Sequence, residues 1–133
     1  MILTNNLSVL KNAIFSLAIG WTILIAVLCL VEFTDLPSFG VSGADKYVHF
    51  TFHFVFTLLW GFYFLLKLHE IIIPKIVSVF LLSLCYGIVI EILQEIVTKT
   101  RHADIFDILA NSVGATIALL FFVLIKKRKF KEK

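Results

Sequence analysis

Four long apolar blocks alternate with short polar stretches along this chain. Residues 13–31 carry no charge, and residues 47–66 are interrupted by histidines alone. Residues 76–90 are uncharged and continue apolar to Val97, and residues 108–125 are uncharged again. A bilayer core takes roughly 20 apolar residues per helix. The pattern therefore predicts an all-α membrane protein, a bundle of four transmembrane helices over about 10–31, 45–66, 75–97 and 104–125, with a basic tail over 126–133. The first block is expected to stay as a span. It is long, it closes on Leu28, Cys29, Leu30 and Val31, and it lacks the small-residue pattern of a signal-peptide cleavage site.

The connections fit this reading. The stretch EFTDLPSFGVSGAD carries Pro37, Gly40 and Gly43 among small polar residues, which is turn chemistry. The short KLHEIIIPK makes the second and third helices antiparallel neighbours, with Pro74 in the first turn of the third, where its missing N–H costs little. No internal repeat or low-complexity linker is present.

Composition agrees: 60% of the 133 residues are hydrophobic and 16% charged, against about 45–50% and about 25% in soluble domains. One membrane domain accounts for the whole chain, and little is left for a soluble one. Cys29 and Cys85 lie in apolar blocks without metal-type spacing and read as packed thiols.

Charge adds an orientation. Lys11, Lys67, Lys75 and the KKRKFKEK tail put nine of the twelve Lys and Arg residues on the face that holds both termini. That excess marks the cytoplasmic side. The loops 32–46 and 98–104 are then expected to face outward, in the cytoplasmic membrane of a bacterium. The basic tail serves as a topology anchor. Nothing supplies a nucleic-acid reading element, so nucleic acid is excluded as a partner; the expected partner is the lipid bilayer.

Against this apolar background the polar residues stand out. Asp45, His49 and His53 are spaced four apart at the start of the second helix, which stacks them on one face. Glu91, Gln94 and Glu95 share a face in the last turns of the third helix, and Asp107 and Asn111 share one in the fourth, with Asn111 about 10 Å deep. Arg101 and His102 sit just above. Ionisable groups in spans usually face the bundle interior or a cavity, because lipid disfavours them by a few kcal/mol. Three helices thus bring Asp45, Lys46, His49, Glu91, Gln94, Arg101, Asp107 and Asn111 to one outward-facing polar pocket, with the apolar first helix as scaffold.

Plainer roles exist for several of these residues. Ser42 with Asp45, and Asp104 with Asp107, fit helix N-cap pairs. Arg101 with Glu91, Glu95 or Asp107 fits a structural ion pair. His53 reads as a core histidine bonded to a neighbour, His102 as a loop residue and Tyr86 as packing. Capping does not explain Glu91 or Asn111, which lie well inside their helices.

The chain resembles the VanZ-like family of small bacterial membrane proteins. Its pattern starts with D-K-x-x-H-F, matched by Asp45, Lys46, His49 and Phe50. It continues with E-x-x-Q, matched by Glu91 and Gln94, and ends with an R followed by D-x-x-x-N-x-x-G, matched by Arg101, Asp107, Asn111 and Gly114. The match covers about residues 43–118. Ala118 stands where many members have a second glycine, and Thr100 where a glycine commonly precedes the arginine. The resemblance implies an envelope role, lowered sensitivity to glycopeptide antibiotics such as teicoplanin.

Several functions are compatible with these residues. The first is a non-enzymatic envelope protein that alters sensitivity to a lipid-anchored glycopeptide. The second is a membrane enzyme acting on a lipid headgroup or lipid-linked cell-wall precursor. There His49, Glu91 and Asp107 are the candidate acid–base groups, Arg101 receives an anionic headgroup, and Gln94 and Asn111 donate hydrogen bonds. Ser112 is the nearest hydroxyl but is paired with no base, so activated water is the expected nucleophile. His49, Glu91, Glu95 and Asp107 are zinc ligands by type, yet no compact signature such as HExxH occurs, so no metal or other cofactor is assigned. A transporter would need an oligomer, and Gly114-x-x-x-Ala118 offers one contact face.

Overall fold

Backbone polar groups inside a bilayer have no water to bond, so an apolar segment crossing it must satisfy them along its own helix. Each apolar block here does so. The computed structural model describes residues 2–31, 43–99 and 102–131, with side chains over 6–31, 43–99 and 102–128. The helices are α1 (Ile2–Leu30), α2 (Ala44–Leu68), α3 (Ile73–Val97) and α4 (Ile105–Lys131). α1 begins earlier than its apolar block, since residues 2–12 contain no proline or glycine to stop it. α4 continues through Lys126, Lys127 and Arg128 to Lys131, so most of the basic stretch extends the helix rather than forming a separate tail. Cations suit that end of the helix dipole.

All four helices are long and apolar enough to cross a membrane, with mean hydropathies of 2.5, 1.5, 2.5 and 2.4 in chain order. The low value belongs to α2, which carries the polar cluster. Large apolar side chains such as Leu17, Ile23, Leu81, Val89, Ile96 and Leu124 point outward, where lipid would meet them. The chain is a multi-pass membrane protein.

α2 touches all three other helices and packs most extensively on α4. Among the described residues α1 and α4 do not touch, so they flank the α2–α3 pair from opposite sides. Lipid supplies little hydrophobic force between helices, and small residues that allow close approach carry the packing. A Cβ at Gly114 would overlap the Phe50 carbonyl, and one at Gly61 would overlap the Phe122 ring. Ala115 and Ala118 are fully buried along the same α4 face.

α1 is held differently. The Trp21 indole N–H donates to the Phe52 carbonyl at 3.0 Å, and the Tyr86 hydroxyl to the Thr22 carbonyl at 2.6 Å. Ile25, Cys29, Phe52, Phe56 and Ile90 form the buried cluster among these helices, beneath the polar end. A second cluster of Ile71, Ile76 and Phe122 closes the opposite end.

Candidate functional site

The polar end begins at Gly43, which precedes α2 at φ 83°, a left-handed conformation that side chains resist. Gly43 is the N-cap and offers no side-chain bond; Ser42, the residue expected to cap, lies outside the described residues. Lys46, in the first turn, reaches three carboxylates. Its ammonium donates to Asp104 Oδ2 at 2.9 Å, Asp45 Oδ2 at 3.2 Å and Asp107 Oδ1 at 3.4 Å.

Asp104 is the N-cap of α4, accepting the Phe106 N–H at 2.8 Å. That bond, with the Lys46 ammonium beside it, holds the Asp104 carboxyl below the usual carboxylate range. The Asp104 backbone N–H donates in turn to Glu91 Oε2 at 3.2 Å. Lys46, Asp104 and Glu91 therefore tie the ends of α2, α4 and α3 together.

His49 lies one turn below Asp45, between Glu91 and Asp107. Its Nδ1 is 3.6 Å from Glu91 Oε1, and its Nε2 is 3.8 Å from Asp107 Oδ2. The three side chains are almost wholly buried, at 8%, 1% and 10% exposure. Neither separation is a hydrogen bond, and Glu91 Oε1 has no hydrogen-bond partner among the described residues. Ligand-type atoms of His49, Glu91 and Asp107 all lie within 4.8 Å of one another. The same holds for Asp45, Asp104 and Asp107, but there the Lys46 ammonium already sits among the carboxylates.

One turn deeper lie Asn111 and His53. The His53 Nδ1 pairs with Ser83 Oγ at 2.8 Å, the neighbour bond expected of a core histidine. Both polar atoms of the Asn111 side chain are buried without a partner among the described residues. Gly87 makes the space for them: a Cβ there would stand 2.8 Å from Asn111 Nδ2 and 3.0 Å from His53 Cε1.

A cavity of about 470 Å3 opens against this cluster. Asp45, Val48, His49 and Phe52 of α2 line it, with Gln94 of α3, Asp104, and Asp107 of α4. Leu28 and Cys29 of α1 and the loop residue His102 complete the wall.

Of the residues singled out in the sequence, Asp45, His49, Gln94 and Asp107 line the cavity, Lys46 bonds three of its acids, and Glu91 and Asn111 are buried behind and below. Arg101 lies outside the described residues. Gln94 lines the cavity and commits one amide N–H to the Cys29 carbonyl at 2.9 Å. That carbonyl is in the last turn of α1. Glu95 does not join the cluster, so it drops out of the possible ligand set. It is exposed and accepts the Ala103 N–H at 2.8 Å, with His102 3.4 Å away. The contribution of α1 was missed, because an uninterrupted apolar helix gives no sign of which residue borders a cavity.

The geometry joins residues of α2, α3 and α4 that the sequence scatters over more than sixty positions. A match to the uncharacterized protein C11E3.10 of Schizosaccharomyces pombe is 31% identical over 96 residues, 72% of this chain and 57% of that protein. The match thus spans little more than half of that relative's length. No solved structure matches the chain significantly. The VanZ/LLP1 family profile runs over residues 3–126, all four helices included, and the chain belongs to the VanZ/LLP1 family.

Proposed function

We propose that this protein spans a bacterial plasma membrane with both termini cytoplasmic and performs acid–base chemistry on a polar lipid headgroup or lipid-linked precursor at the His49 site. The observation that carries this reading is the buried imidazole flanked by Glu91 at 3.6 Å and Asp107 at 3.8 Å beside a cavity. An imidazole so placed takes up a proton in one step and returns it in the next.

Depth supports a headgroup. A 25-residue helix such as α3 is roughly 37 Å long, against a hydrocarbon core of about 30 Å. His49 and Glu91 lie five and six residues from their helix ends, roughly 8–9 Å in. That is near the junction of headgroup and acyl chain. The Lys and Arg excess at the opposite end supports an outward opening. The nucleophile in this reading is water. His49 takes its proton, the water oxygen bonds to the headgroup phosphorus or acyl carbon, and the proton passes to the departing oxygen.

Purified protein incubated with phospholipids and lipid-linked precursors, followed by mass spectrometry of the lipids, tests this. Native protein is expected to yield a hydrolysed headgroup, and Glu91→Gln and His49→Gln to lose at least about a hundredfold in rate, the usual share of a general acid or base. Unchanged lipids across the panel would sink it.

The family match favours a second reading, reduced sensitivity to a lipid-anchored glycopeptide such as teicoplanin. Expression in a Gram-positive host should then raise resistance, and Glu91→Gln and Arg101→Gln at equal membrane levels should abolish the gain.

A further inference from the structure

We infer that His49, Glu91 and Asp107 form a binding site for one divalent transition-metal ion at the wall of the cavity. The site needs no lipid turnover to be real, so it stands or falls apart from the proposed reaction.

Three observations converge. The first is the donor set: one imidazole and two carboxylates from three helices, with ligand atoms within 4.8 Å of one another. Mixed nitrogen and oxygen donors suit zinc and its first-row neighbours. The second is an unpartnered buried atom. Glu91 is 1% exposed, and its Oε1, 3.6 Å from His49 Nδ1, makes no hydrogen bond among the described residues. A buried carboxylate oxygen without a donor is costly, and a cation removes that cost. The third is the spacing. Two donors on a tetrahedral zinc, with bonds of about 2.0–2.2 Å, stand roughly 3.4 Å apart. The His49 Nδ1 to Glu91 Oε1 separation is 3.6 Å, too long for a hydrogen bond and close to that edge, while Asp107 Oδ2, 3.8 Å from the other ring nitrogen, has to close toward Nδ1 to complete the set.

The neighbouring acids sharpen the contrast. Asp45, Asp104 and Asp107 hold an internal cation, the Lys46 ammonium. The His49 and Glu91 side of the cluster has no such neutralising group among the described residues. His49 and Asp107 also border the cavity, which leaves the remaining coordination positions to water or a ligand. The sequence carries no compact metal signature because each ligand comes from a different helix.

The test is metal binding by the full chain in detergent or nanodiscs, stripped with a chelator and titrated with Zn2+ and with Co2+ as a spectroscopic probe. The native chain is expected to bind one ion, with His49→Ala, Glu91→Gln and Asp107→Asn each weakening it at least tenfold while helicity is retained. Glu95→Gln and Cys29→Ser should bind as the native chain does, which separates the site from the exposed carboxylate and the nearby thiol. Lys46→Gln, at a partly exposed position, should tighten binding several-fold by removing a competing positive charge. Should the ligand variants fail to fold, the Co2+ spectrum of the native chain decides: imidazole nitrogen ligation upholds the site, and oxygen-only ligation, as Asp45, Asp104 and Asp107 would give, overturns it. Absence of a bound ion in the native chain, or equal binding by folded His49→Ala, also overturns it.

Discussion

Gly114 of α4 rests against the backbone carbonyl of Phe50 on α2, and no Cβ fits between them. This crossing sits one residue from His49 on one helix and two turns from Asp107 on the other, so it sets how closely the two site residues approach. Gly114→Ala should force α2 and α4 apart, at about 1–3 kcal/mol, the usual cost of overpacking. Gly20 of α1 meets nothing within 4 Å. Gly20→Ala should be neutral or stabilising by up to about 1 kcal/mol. Unfolding of the two variants in the same detergent checks the contrast.

Lys46 and Asp104 meet at 2.9 Å across α2 and α4, at a position open to solvent. The pair is therefore expected to orient the two helix ends rather than hold the bundle together. A double-mutant cycle with Lys46→Gln and Asp104→Asn should give a small coupling that fades as salt is raised. Coupling that persists in molar salt would show that the pair is shielded from solvent.

Tyr86 stacks on Phe56 with ring centroids 5.7 Å apart while its hydroxyl holds the Thr22 carbonyl. Tyr86→Phe keeps the ring and removes the bond. The expected loss is about 0.5–1.5 kcal/mol, read by unfolding. Gln94→Leu should loosen the far end of α1 in the same way, since Gln94 donates to Cys29. Faster hydrogen exchange confined to the last turn of α1 is the expected sign.

Gly87 leaves room for the side chains of Asn111 and His53. Gly87→Ala would press on the ends of those two groups, both of which can rotate. A modest stability loss of about 1 kcal/mol is expected, together with a larger loss of whatever the cluster binds. Unchanged binding in this variant would place the functional contacts above Asn111, at the level of His49.

The four spans were legible because hydrophobic length is a property of the chain itself, and a bilayer permits almost no fold but the helix over such lengths. The helical period also put His49 above His53, Glu91 beside Gln94, and Asp107 above Asn111 before any partner was known. Which faces meet is a different matter. That Gln94 would turn to an α1 carbonyl, that Glu95 would reach to the Ala103 backbone, and that Cys29 would border the cavity depend on how the helices cross. Those crossings follow from the close approaches that Gly61, Gly87 and Gly114 allow, three positions that look alike in the sequence as interruptions of an apolar run. Periodicity describes one helix at a time. The distances between His49, Glu91 and Asp107 belong to three helices at once, and only their packing could decide them.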